Sequence, residues 1–193
     1  MLNAQAIGEL LSKNSDDRLC RRWFLMTPNG TLLANSQTVD TARLRKQVAR
    51  AAMRWQEYQA SQPATEVESS NGLGQQSKIR TLIIESETSN ILIRLVQPQL
   101  LLVLEGGVPP RKSTFEPRIT AEDENGEALH RTAGIDSSLS TSLSSKAEST
   151  ISVVSSGVVS LHRRKMEAMA SAIASEFERT GFKMPNQSTN SFF

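Results

Sequence analysis

The sequence has few of the residues on which metal centres and covalent catalysis usually depend. Its 193 residues include one cysteine, Cys20, and two histidines, His130 and His162. A single thiol forms no intramolecular disulfide and no paired-cysteine zinc site, and two histidines are too few for most metal centres. We therefore expect this chain to hold no metal and no cofactor.

A strong charge of one sign and long hydrophobic runs are also missing. Lys and Arg total 22 and Asp and Glu total 20, so the formal charge is only +2. Nucleic-acid binding depends largely on a basic field, so we expect no nucleic-acid partner. No apolar run reaches the roughly 20 residues that span a bilayer. Gln5 and Glu9 interrupt the apolar core that a signal peptide would need, so we expect a cytosolic chain without direct membrane insertion.

No residue type is spaced as in a catalytic site. Nucleophilic catalysis requires a thiol or hydroxyl beside an oriented base. We expect Cys20 to be a passive thiol at the start of a strand, His130 to lie in a segment without fixed structure and His162 to be solvated in the first turn of a helix. The sequence therefore predicts a protein that is not an enzyme.

The first sixty residues show clear secondary-structure patterns. Apolar residues on one side of a helical wheel predict a helix over 2–12. The Asn29-Gly30 pair between two apolar runs predicts a hairpin with strands at 22–27 and 31–36. A longer helix is predicted from residue 38 or 40 to about 59. Its apolar stripe consists of Leu44, Val48, Ala51, Ala52 and Trp55.

The rest of the chain is less regular. Three runs rich in branched residues predict strands at 79–85, 91–96 and 100–105. Residues 106–157 are dominated by Ser and Thr, which predicts a disordered insertion. A last helix should begin at Leu161 and end at Gly181. The predicted organisation is one domain over 1–105 and 158–184, the insertion at 106–157 and a polar tail at 185–193.

The element order predicts an α+β fold, α-β-β-α-β-β-β-α, with a five-stranded antiparallel sheet and helices on both faces. This order, with Met1-Leu2, Leu10-Leu11-Ser12, the run from Asn29 to Ala34 and the Ala- and Trp-containing helix, resembles the roadblock superfamily. Within it, the resemblance is closest to the late-endosomal or lysosomal adaptor subunits of the Ragulator complex, called EGO in yeasts.

The resemblance implies a function. The chain would pair with another roadblock-type subunit, forming a platform for Rag-type GTPases that couples amino-acid supply to the TOR kinase complex. A lipidated scaffold subunit would hold the pair on the cytoplasmic face of the late endosome, lysosome or vacuole. Two alternatives remain open: a dynein roadblock light chain, and a ligand-sensing domain of the PAS or profilin-like kind.

The strand at 79–85 is expected at a sheet edge, where an uncovered strand is a liability. Roadblock-type dimers pair through this strand and the long helix. The resemblance thus implies that Leu44, Val48 and Trp55 pack on the chain's own sheet. The partner contacts are expected at Gln47, Ala51, Arg54, Arg80, Leu82 and Ile84.

The long helix also carries a basic set. Three interpretations stay open: a solvated helix face, a positive rim that steers an acidic partner, or a contact with lipid headgroups. The set consists of Arg43, Arg45, Lys46, Arg50 and Arg54. In a second basic segment, Arg111-Lys112-Ser113-Thr114, phosphorylation would alter the local electrostatics.

Overall fold

The computed structural model describes residues 3–36, 41–61, 79–109, 115–129 and 149–184, the last range by backbone alone up to residue 156. His130, the segment 111–114 and the tail at 185–193 lie outside the described residues. The helices are α1 (Ala4–Lys13), α2 (Thr41–Ala60) and α3 (Ser149–Thr180). The strands are β1 (Cys20–Met26), β2 (Leu32–Asn35), β3 (Thr81–Glu85), β4 (Ser89–Gln97), β5 (Leu100–Gly107), β6 (Arg118–Glu122) and β7 (Ala128–Leu129).

Local signals in the sequence account for the ends of several elements. The Asn3 side chain accepts a hydrogen bond from the Ala6 amide at 3.0 Å and caps α1. Gly30 has φ +87° in the β1–β2 turn, where the sequence predicts a hairpin. Gly181 has φ +63° after α3, and the Phe182 amide donates to the Phe177 carbonyl at 2.9 Å. The predicted C-terminal end of the last helix is therefore confirmed.

All seven strands belong to one antiparallel sheet in the order β2-β1-β5-β4-β3-β6-β7. The predicted α+β class and the five predicted strands are confirmed, but the predicted number of strands is wrong. β6 and β7 come from the segment that the sequence predicts to be disordered. β3 has backbone donors and acceptors on both sides, and β6 pairs with those that β4 leaves free. The hydrogen bonds that stabilise β6 depend on the neighbouring strand β3, so the composition of the segment alone did not reveal the strand.

The last helix starts twelve residues earlier than predicted, at Ser149 instead of Leu161. Its first turns are rich in Ser and Val, which have low helix propensity and obscure the apolar period. This early start changes the position of His162, which lies in the interior of the helix and is fully buried. His162 Nε2 donates to the Leu19 carbonyl at 2.9 Å and Nδ1 lies 3.3 Å from the Asn90 amide nitrogen. The prediction of a solvated first-turn histidine is wrong.

The two faces of the sheet are covered differently. Helices α1 and α3 pack on one face and form cluster 1 with residues such as Trp23, Leu102 and Phe177. Helix α2 packs on the other face and forms cluster 2, which includes Trp55 and Leu82. Among the described residues, α2 is the only helix in cluster 2.

Candidate interaction surface

The face under α2 is wider than the helix that covers it. A helix with its side chains is about 10–12 Å across, and neighbouring strands are about 4.8 Å apart, so one helix covers about two strands. In the described part of the chain this leaves apolar side chains at both sides of α2. Leu32 and Ile119 are each 36% exposed, and Met53 is 68% exposed. Ile119 lies on one side of α2, and Leu32 and Met53 line a groove on the other, so the face has two separate accessible apolar regions.

The structure places the six predicted interface residues on or beside this face, but two of them are core residues. Leu82 is fully buried and Ala51 is 4% exposed, and both belong to cluster 2. Neither side chain is available to a partner while the chain is folded. Periodicity showed that Ala51 and Leu82 lie on apolar faces, but not that these two faces cover each other.

The remaining four predicted residues are at least partly accessible. Gln47 is half-buried, and its Nε2 donates to Glu105 Oε2 at 2.7 Å. Arg54 is exposed and pairs with Glu57 at 2.9 Å. Arg80 pairs with Glu124 at 2.5 Å, and Ile84 is half-buried beside cluster 2. Three of the four are therefore held by acidic residues of the same chain.

β3 is not a free sheet edge, which corrects the premise of the predicted interface. β6 pairs with it along its whole length, from Thr81 opposite Glu122 to Glu85 opposite Arg118. The backbone groups that a partner strand would use are already bonded within the chain. The β6–β7 hairpin (Arg118–Leu129) thus occupies the position expected for the partner.

The β6–β7 hairpin contacts the rest of the chain through an apolar contact on one face of the sheet and an ion pair on the other. Ala121 is its one side chain buried in cluster 2 among the described residues. Glu122 is 7% exposed and pairs with Arg163 of α3. Burial raises the pKa of the Glu122 carboxyl above its ordinary value, and the positive charges of Arg163 and Arg94 act in the opposite direction. Burial likewise lowers the pKa of Arg94, which pairs with Glu167 at 2.5 Å.

A groove lies on the other side of α2, between this helix and the β1–β2 turn. Its volume is about 580 Å³. We call it the turn groove; its apolar lining consists of Leu32, Leu44, Val48, Ala49, Ala52 and Met53. The turn is held against α2 by a hydrogen bond from Gln56 Nε2 to the Pro28 carbonyl at 2.9 Å. A Cβ at Gly30 would lie 3.6 Å from the Ala52 side chain, so the turn and helix are in close contact.

Sequence reasoning missed Met53 and Leu32 as surface residues of interest. Met53 lies outside the apolar stripe of α2, between Ala52 and Arg54. A large apolar residue outside the stripe of an amphipathic helix was the available signal. Leu32 gave no such signal, because an apolar residue in a hairpin strand is ordinarily taken as core.

The residues weighed for chemistry do not form a cluster. Cys20 is 1% exposed, and burial raises the pKa of its thiol, with the negative charge of Asp16 acting in the same direction. The described residues contain no group of three or more His, Cys, Asp or Glu side chains able to hold a metal ion. Within the same residues, no helix is long and apolar enough to cross a membrane.

No protein-family model and no curated protein matches this chain. Solved structures similar to it include MglB from Myxococcus xanthus, with 12% identity, a TM-score of 0.47 and coverage of 92% of this chain and 99% of that chain. The gliding protein mglB from Thermus thermophilus has 13% identity, a TM-score of 0.42 and coverage of 55% and 76%. A Roadblock/LC7 domain from Streptomyces avermitilis has 11% identity, a TM-score of 0.39 and coverage of 53% and 76%.

Proposed function

We propose that this chain is a non-catalytic roadblock-type scaffold that pairs with another roadblock-type subunit through the α2 face of its sheet. The observation that carries the proposal is the unequal covering of the two faces. Cluster 1 lies beneath two helices, whereas cluster 2 lies beneath α2 alone in the described part of the chain. A second subunit placed beside α2 would cover the apolar groups that this helix leaves accessible.

The part of the α2 face nearest β3 and β6 is the proposed pairing surface. Ile84 and Ile119 lie opposite each other in neighbouring strands, two residues from the buried pair Leu82 and Ala121. Because side chains alternate along a strand, Ile84 and Ile119 point to the α2 side of the sheet. Arg54 lies on the exposed side of α2. These residues replace Ala51 and Leu82 among the proposed contacts, and Arg80 stays at the margin. Gln47 lies over β1 and β5 instead, where it bonds Arg22 and Glu105.

The finer function rests on the resemblance found in the sequence. In that proposal the pair forms a platform for Rag-type GTPases in amino-acid signalling to the TOR kinase complex. A lipidated scaffold subunit then holds the pair peripherally at the late endosome, lysosome or vacuole. A scaffold of this kind needs surfaces rather than a reacting centre, which agrees with the buried Cys20 and His162.

Affinity purification of the full chain from its native cell, with identification of stoichiometric partners, tests the proposal. Other roadblock-type chains together with Rag-type GTPases are the expected result. Dynein chains would replace the proposal with the light-chain alternative. A small molecule that co-purifies with the chain when no protein partner does would favour the ligand-sensing alternative.

Variants of the pairing surface make the test specific. The double charge variant Arg54→Glu with Ile119→Glu should weaken association with the co-purified subunit by at least about tenfold, since interface centres tolerate unpaired charge poorly. Arg164→Glu with Lys183→Glu changes the net charge similarly at exposed sites on and after α3 and should leave association unchanged. Size-exclusion chromatography with light scattering measures association of the co-purified subunit with the unchanged chain and with both variants. Equal affinity in all three cases would contradict the proposed surface.

A further inference from the structure

We propose that the turn groove is a second docking surface, which takes an acidic amphipathic segment of a partner protein. It lies on the β1–β2 side of α2, away from the proposed pairing surface beside β3 and β6. The inference therefore does not depend on the proposed pairing function. A segment with apolar side chains on one side and carboxylates along its margin is the occupant that fits.

The groove offers an apolar contact of suitable size. Its volume of about 580 Å³ lies in the range typical of ligand-binding clefts. Leu44, Val48 and Ala52 form its floor, and all three are buried. Met53 is 68% exposed and Leu32 is 36% exposed at its margins. Thioether side chains adapt to differently shaped partners, so Met53 suits a docking contact.

The margin of the groove is positively charged and has no counterion among the described residues. Arg45 lines the groove, and Arg45, Lys46 and Arg50 are all exposed. None of these three forms an ion pair with another described residue, in contrast to Arg54, which pairs with Glu57. Glu57 is the only acidic residue of α2, and it lies in the last turn. Arg45 in the lining and Lys46 beside it are complementary to a segment that carries carboxylates.

The spacing of these cations along α2 shows which of them border the groove. Lys46 lies three residues before Ala49, and Arg50 lies three residues before Met53. Residues three and four apart are neighbours on a helix surface. Lys46 therefore borders the groove beside Ala49, whereas Arg50 lies four residues before Arg54 and extends toward the solvent side of α2. Carboxylates beside an apolar anchor would reach Arg45 and Lys46.

Other occupants fit less well. A second copy of this chain would bring the same basic margin against itself, and like charges across an interface are repulsive. Single-stranded nucleic acid usually stacks on aromatic side chains, and the lining contains none. A helix that lies on a membrane inserts a continuous apolar face. Met53 is the only exposed large apolar residue of α2.

Unbiased peptide selection tests the proposal. A displayed library of random 16-residue peptides is selected on the full chain, and enriched peptides are measured by fluorescence anisotropy. We expect enrichment of sequences that combine Leu, Ile or Phe with Asp or Glu. Their affinity should fall by about tenfold or more in Met53→Glu and in Arg45→Glu with Lys46→Glu, and it should weaken as salt is raised.

The control variant is Arg164→Glu with Lys183→Glu, which reverses two exposed cations away from the groove and should bind the peptides as the unchanged chain does. Enriched peptides without excess carboxylates, or peptides that bind all variants equally, would overturn the proposal. So would the absence of any enrichment. Vesicles containing anionic phosphatidylserine form a parallel arm: binding to vesicles that is lost in the groove variants, with no peptide binding, would replace the partner segment with a lipid surface.

Discussion

The two faces of the sheet are both apolar at their centres but differ in how completely helices cover them. On the cluster 1 face, α1 and α3 bury Trp23, Ile173 and Phe177 almost completely. On the cluster 2 face, the centre is equally well buried at Trp55 and Leu82, but described apolar residues at both sides of α2 stay accessible. The difference teaches that two helices cover the first face, whereas in the described part of the chain one helix covers the second. The second face combines a core with accessible apolar groups, so α2 carries both buried residues and the residues at which we propose binding.

The largest expected effect is loss of folding when buried residues of the second face are replaced by charged ones. Leu82→Asp together with Ala51→Asp should prevent folding, because both side chains are buried and two unpaired carboxylates would enter cluster 2. Far-UV circular dichroism of the purified protein measures this. A folded double variant that only loses its partner would restore both residues to the interface and contradict their place in the core.

On the first face, Phe177→Ala should lower the free energy of unfolding by about 3–5 kcal/mol. Phe177 is 2% exposed, and its ring lies 5.0 Å from that of Phe182. Chemical denaturation gives the value. A loss below about 1 kcal/mol would show that α3 contributes little to cluster 1.

Close packing on the first face should also be visible at Gly106. A Cβ there would lie 2.4 Å from His162 Cε1, so Gly106→Ala should cost about 1–3 kcal/mol. Gly157→Ala is the matched control: it meets nothing within 4 Å inside α3 and should raise stability by about 0.5–1 kcal/mol. If His162→Ala does not reduce the penalty of Gly106→Ala in a double-mutant cycle, the contact is not its cause.

The ion pair between the β6–β7 hairpin and α3 should contribute less. Arg163→Ala leaves the buried Glu122 with one cation fewer, and because Arg163 is itself 46% exposed we expect a cost of about 1–2 kcal/mol. Loss of the cation moves the Glu122 pKa further up. The lost ion pair matters only while Glu122 is ionised, and its raised pKa means that protonation in the folded state begins at a higher pH than usual. The stability deficit of Arg163→Ala should therefore be largest at neutral pH and shrink as the pH falls through the folded-state pKa of Glu122. Chemical denaturation at several pH values checks this. A stability deficit that grows on acidification would show that the ionised Glu122 carboxylate is not what Arg163 stabilises.

The smallest effect on stability is expected where binding is proposed. Met53→Ser should change the free energy of unfolding by less than about 0.5 kcal/mol, since the side chain is 68% exposed. The same variant should weaken peptide binding at the turn groove. A stability loss above about 1 kcal/mol would place Met53 in the core and remove it from the docking surface.

Most of the fold could be predicted from short-range patterns. The stripe of α2, the Asn29-Gly30 turn and Gly181 after α3 each follow from residues close in the chain, and the structure agrees at all three. The long start of α3 could not be predicted from the Ser- and Val-rich turns alone, because helix formation there depends on continuity with the packed part beyond Val159. The interface stays a prediction: of its residues, Arg54 and Ile84 are accessible, whereas Ala51 and Leu82 are buried.

The sequence by itself determined the α+β class, the five strands β1 to β5 and the apolar face of each helix, because hydrophobic period and turn chemistry act over a few residues. Tertiary structure alone decided which apolar faces cover each other, that β6 occupies the edge of β3 and that His162 is buried against Gly106. These features depend on contacts between residues that are distant in the chain, such as Leu82 and Ala121. Their free energy arises only when the partner element is in place, so no local pattern records it.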